Sequence, residues 1–193
     1  MRDIMRCCAA VLVLGLAVGA FAGTKPESRI LFIAESNFGK VWANLSLTRQ
    51  RDAEPYIPIV VGVLNKGHES VRITRDSIWL NDLDNLVYSM PTVKELRKNY
   101  DRSGLDQRMV SAAGIPWEGW QRSGRLVPSL FFPALRMTRG NTVKDRVTLR
   151  GNYAMVDLLY FERPRALVPN KPFILEVHPE GWEVPIRLRL FIS

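Results

Sequence analysis

The stretch Val184-Pro185-Ile186-Arg187-Leu188-Arg189-Leu190-Phe191-Ile192 carries the pattern that decides the fold. Successive side chains of a β-strand point to opposite faces. Ile186, Leu188, Leu190 and Ile192 therefore share one face, and Arg187 and Arg189 share the other. Strict alternation of this kind predicts a strand with one side in the core and one in water.

The same period returns upstream. Residues 41–47 alternate in the same way. Residues 56–64 are almost all apolar and β-branched, which predicts a central strand, with Pro58 placed where no ladder donor is required. Asn65-Lys66-Gly67 turns the chain into Val71-Arg72-Ile73. Ile78-Trp79-Leu80 and Leu86-Val87-Tyr88 flank an Asx-rich loop at residues 81–85. Asn and Asp tolerate the left-handed backbone and bond their own turns, so this segment predicts a hairpin. Further strands are expected over residues 146–149, 156–161 and 173–177.

One segment breaks the period. Thr92-Val93-Lys94-Glu95 reads as a capping box, and Val93, Leu96 and Tyr100 follow at helical spacing. A second short helix is expected before Gly114. The pattern predicts a mostly β chain, an antiparallel β-sandwich with a short helical insert at about residues 92–113. The run from Asn65 through Val71-Arg72-Ile73 and Ser77-Ile78-Trp79-Leu80 to the turn at residues 82–85 resembles the front half of immunoglobulin-like domains in secreted bacterial proteins of unknown function. Residues 169–177 are similar to a late strand of such domains. The resemblance spans about half the chain beyond the leader and implies a non-catalytic binding or accessory role. It carries over no functional residue. The helical insert and the lack of a Cys pair depart from the plain pattern.

Residues 1–22 are expected to be an export signal. Arg2 and Arg6 precede an apolar run from Cys7 to Ala22, and Ala20-Phe21-Ala22 offers a small-x-small cleavage site. A helix over that run would reach only about 24 Å, short of a hydrocarbon core of ~30 Å. Residues 23–193 are then expected to form one exported domain, periplasmic or secreted, with no transmembrane span, the alternative being an uncleaved N-terminal anchor. Both cysteines, Cys7 and Cys8, fall in the leader. That excludes a disulfide framework, a thiolate zinc site and a cysteine nucleophile from the mature chain.

Beyond the leader, which carries net +1, the excess charge is confined to the middle. The chain carries a net charge of +8, and residues 92–150 hold twelve basic and five acidic groups. Segments 23–91 and 151–193 each balance to zero. Within the basic stretch Arg122, Arg125, Arg136 and Arg139 flank the aromatic-rich region that begins with Trp117 and Trp120. These six residues are the candidate binding site. Guanidinium forks beside aromatic faces suit an anionic partner, an envelope component or an acidic protein. The bland alternative is a set of solvated side chains that keep the protein in solution. No recognition helix or stacking sheet points to nucleic acid.

Catalytic motifs are missing. Neither Gly-x-Ser-x-Gly nor Ser-x-x-Lys occurs. Asp82-Leu83-Asp84 starts like a calcium loop but lacks its glycine, so a hairpin turn accounts for it better. His178 near Glu176 and Glu180 offers too few ligands for a zinc site, and no metal or cofactor is expected. Two alternatives to a binding protein stay open. One is a small glycan-active enzyme using a carboxylate pair such as Asp101 and Glu118. The other is a structural subunit that pairs through a sheet edge.

Overall fold

The computed structural model describes residues 25–26, 30–67, 69–112, 125–128, 131–132, 144–164 and 171–192. The expected leader lies outside them. The alternating stretch forms β12 (Ile186–Leu190), with Ile186, Leu188 and Leu190 buried and Arg187 and Arg189 exposed. It pairs with β11 (Phe173–Val177), which pairs in turn with β6 (Ile78–Asn81) and, through it, β7 (Val87–Tyr88). All three pairings are antiparallel and make a four-stranded sheet in the order β12-β11-β6-β7.

The larger sheet has six strands. Its centre is β4 (Tyr56–Asn65), buried at every position as an apolar β-branched run should be. β4 lies between β3 (Gly39–Asn44) and β10 (Tyr153–Glu162). β2 (Leu31–Glu35) and β1 (Lys25–Pro26) extend one side, and β8 (Arg125–Pro128) closes the other. Pro58 sits in β4 beyond the last β3 partner, where its carbonyl accepts the Thr48 hydroxyl. Its missing N–H is thus on a side that has no ladder to lose. β5 (Val71–Thr74) and β9 (Arg146–Leu149) form a separate two-stranded ribbon.

Two features differ from the sequence reading. The arrangement is not wholly antiparallel, because β8 and β10 run parallel. After β8 the chain leaves the sheet, contributes β9 to the ribbon, and returns as β10 in the same direction. Parallel neighbours require such a crossover. The expected half-buried strand over residues 41–47 is buried on both faces, since Val41, Trp42 and Ala43 are all inaccessible. Gly62 explains how. A Cβ there would meet the Trp42 ring at 2.2 Å, so the indole lies flat over the one strand position without a side chain.

Both faces of the large sheet are covered. β12 runs against β2 and β3. Trp182, just beyond β11, packs where Gly39 opens β3. Elsewhere Tyr56 and Tyr160 meet Tyr100 edge-on, with ring centroids 5.9 and 5.6 Å apart. Tyr100 caps α1 (Val93–Asn99), and α2 (Ser103–Ala112) follows directly. The capping box is present as expected: the Glu95 amide donates to the Thr92 hydroxyl, and the Thr92 amide to the Glu95 carboxylate. The β6–β7 hairpin also follows the Asx reading. Asp82 accepts from the Asp84 and Leu86 amides, and Asn85 takes a left-handed φ of 61°.

Candidate anion-binding surface

The basic stretch begins on the helical insert. Lys94, Arg97 and Lys98 on α1 and Arg108 on α2 are exposed. Its carboxylates are disposed differently. Glu95 caps α1 but stays exposed, as does Asp101, whereas Asp106 is fully buried. Arg51, from outside the basic segment, neutralises Asp106 through Nε and Nη2 at 3.0 and 2.8 Å. Burial opposes the Arg51 charge, yet the bond and charge of Asp106 raise its pKa above the ordinary arginine value. The Tyr100 hydroxyl donates to the other Asp106 oxygen at 2.6 Å. Burial first, and that bond second, push the Tyr100 phenol above its usual range. Arg102 is the one cation of the insert tied down on the surface among the described residues, by Glu54 at 2.7 Å. The insert thus turns one carboxylate inward and leaves most of its cations outward, so its surface is more positive than its sequence.

The chain beyond β8 is fastened beside the insert. The Gln107 amide donates to the Phe132 carbonyl at 2.8 Å. Arg75 donates to the carbonyls of Phe131 and Pro91 and stacks over the Phe132 ring, 4.4 Å from its centroid. The Phe131 amide donates to buried Asp157 at 2.8 Å. Burial lowers the Arg75 guanidinium, with Asp145, Asp157 and Asp76 opposing that shift. Phe131 and Phe132 are therefore core anchors, both almost fully buried. They hold the basic stretch against the sheet and are not free to stack on a ligand.

Of the candidate site residues, Arg125 is described. It opens β8, is exposed, and its guanidinium lies 3.4 Å from the Tyr153 hydroxyl. Its amide donates to the Asn152 carbonyl, next to the turn that carries exposed Arg150. Arg122, Arg136, Arg139, Trp117 and Trp120 lie outside the described residues, as does Glu118. Asp101 is exposed in the turn between α1 and α2. His178 follows β11, and its Nε2 lies 3.1 Å from the Trp182 carbonyl.

A second polar surface was not singled out from sequence. β6, β11 and β12 bring Asn81, Ile174, Glu176, Arg187 and Arg189 into one open groove under the β6–β7 turn. The alternation of residues 184–192 placed both arginines on one face. Their direct partners, Glu176 and Ile174, lie on β11, 11 and 15 positions upstream, while Asn81 and the turn that completes the groove lie more than 100 positions upstream on β6, and no local pattern reports that juxtaposition. Among the described residues no group of three or more His, Cys, Asp or Glu is placed to hold a metal ion. No described helix is long and apolar enough to cross a membrane. No protein-family model, curated protein or solved structure matches the chain.

Proposed function

We propose that this chain is an exported, non-catalytic binding or accessory protein built on an immunoglobulin-like β-sandwich. Its basic middle engages an anionic envelope component or an acidic protein. The observation that carries the reading is the inward placement of Asp106 against Arg51, with Lys94, Arg97, Lys98 and Arg108 left facing solvent. Taking one neutralised carboxylate off the surface leaves the insert's exposed cations in greater excess, and a positive surface potential steers and concentrates anionic partners. Arg125 stands opposite Tyr153, seven strand positions from the Tyr160 that meets the insert, and so forms a separate positive position on the sheet edge, and Arg122, Arg136 and Arg139 extend the set by sequence. Trp117 and Trp120 supply the aromatic element. Two facing sheets, the antiparallel order β12-β11-β6-β7 and the Asx hairpin support the sandwich.

A pull-down of the mature protein from its own envelope fraction tests the proposal. Capture should be strong near 0.1 M salt and largely lost near 1 M, where the Debye length falls from about 10 Å to about 3 Å. Capture that is indifferent to salt would defeat it.

A further inference from the structure

We infer that the outer face of the four-stranded sheet carries a separate ligand site, a groove that takes an acidic saccharide. Strand register builds it. Arg189 lies opposite Ile174, and Ile174 opposite Asn81. The next outward row is Arg187, Glu176 and Trp79. The intervening residues Leu188, Leu175 and Leu80 point into the core and are fully buried. Asp82, Leu83 and Asn85 of the hairpin turn form a wall above the first row. The open volume is about 340 Å³, at the small end of the range for small-molecule sites.

The chemistry of the groove is two-sided. Glu176 holds the Nε of Arg187 at 2.5 Å. No carboxylate within ion-pair distance holds Arg189 among the described residues, and its guanidinium sits 5.7 Å from the Phe191 ring. The two arginines are two strand positions apart, roughly 6–7 Å along the chain. Planar guanidinium forks of this kind recognise carboxylates. The opposite side presents acceptors and amides: Glu176, Asp82, Asn81 and Asn85. The Asn81 Oδ1 is closed to solvent and finds no hydrogen-bond donor among the described residues, so the Asn81 amide must turn to reach a ligand. Ile174 forms an apolar strip between the two sides, and Leu83 stands half exposed at the rim.

A ligand matching all three parts needs a carboxylate, several hydroxyl donors and an apolar C–H face. A uronic or sialic acid unit has them on one ring. An acidic peptide fits less well. β11 is paired on both sides, and so is β6 over Leu80 and Asn81, while β12 is the edge strand and borders the groove rather than crossing its floor. The groove floor therefore offers side chains alone, and a peptide adding as a strand needs a free edge. The helical insert packs on the large sheet instead, so this site is independent of the basic surface proposed above.

The test is binding of the mature protein to an array of uronate-bearing, sialate-bearing and neutral oligosaccharides, followed by calorimetric titration of whatever is retained. Retention should be confined to the acidic sugars. Arg189→Gln should weaken their affinity at least tenfold at an unchanged melting temperature. Replacing Arg97, Lys98 and Arg108 together by Gln should leave that affinity within twofold, which separates this site from the insert. The inference is overturned if no acidic sugar is retained, if neutral sugars bind equally, or if Arg189→Gln changes nothing. Displacement by poly-glutamate as effective as by the sugar itself would assign the groove to a peptide and overturn it equally.

Discussion

Arg51 donates both Nε and Nη2 to a single oxygen of Asp106, joining positions 55 residues apart in a contact almost closed to water. The pair pins α2 to the turn that leads into β4. Tyr100 completes it by donating to the second oxygen, and the Tyr160 hydroxyl is buried close by, with no partner at full hydrogen-bond geometry among the described residues. Burial, and then the Asp106 charge, push the Tyr160 phenol well above its usual range. The geometry gives the insert a fixed seat on the sheet, and so fixes where its outward cations stand.

Removing one partner of a buried ion pair leaves the other charge unmatched, which costs about 3–5 kcal/mol. Asp106→Ala should destabilise the protein by that amount in urea unfolding. Exchanging both residues for apolar ones of similar volume, Arg51→Met with Asp106→Leu, should recover most of the loss. A single variant within ~1 kcal/mol of wild type would show that the pair is not the seat of the insert.

The core reading of β12 makes a paired prediction. Leu188 is fully buried, so Leu188→Ala should cost about 2–5 kcal/mol through lost transfer energy and the cavity left behind. Arg187 is exposed and, among the described residues, paired with Glu176 at the surface, so Arg187→Ala should cost under ~1 kcal/mol. Equal losses at the two positions would contradict the orientation of the strand.

Gly62 is required by Trp42 and not by its backbone. Ala at position 62 would place a methyl 2.2 Å from a buried indole, which has no free space to move into. Gly62→Ala should cost at least about 1–3 kcal/mol, the usual range for overpacking. Trp42→Leu in the same chain should relieve part of it, and a double-mutant cycle measures the coupling.

The β6–β7 hairpin has a pH signature. Burial raises the Asp82 carboxyl, but the Leu86 amide, the Tyr88 hydroxyl, the Asp84 amide and the Lys171 charge outweigh it and hold it below its ordinary value of 3.8. A depressed carboxyl contributes stability above its unfolded pKa and loses it as pH falls through the folded one. Tyr88 works at the other end. Burial, then the bond to Asp82, push its phenol from 10.0 up to about 12. A raised group contributes stability below its unfolded pKa and loses it as pH rises, here between 10 and about 12. Thermal unfolding should therefore show an acid loss that Asp82→Asn diminishes and an alkaline loss that Tyr88→Phe diminishes. Unfolding curves that shift with pH identically in wild type and both variants would contradict this.

Local chemistry made much of the fold legible. The alternation of Ile186, Leu188 and Leu190, the Thr92–Glu95 box and the Asx turn after Asn81 each fix a conformation through neighbours a few residues away. What escaped depends on distant partners. An aspartate at position 106 reads as one more solvated helix charge until Arg51 arrives across 55 residues. The parallel β8–β10 pair depends on where the chain goes between residues 128 and 153. Arg187 and Arg189 read as a wet strand face, and became a groove because β6 and its turn lie alongside. Of the six candidate site residues, Arg125 alone could be placed, on an exposed sheet edge.

On the proposed function, the position of the charge, and not its amount, creates the binding surface. The direct test compares two variants of equal net charge in envelope pull-downs at about 0.1 M salt, where surface charges still act over roughly 10 Å. One replaces Arg97, Lys98 and Arg108 by Gln; the other replaces Lys40, Lys66 and Arg72 by Gln, all away from the insert. Capture should fall at least tenfold for the first and less than twofold for the second. Equal falls in both would contradict it and return the basic middle to a role in solubility.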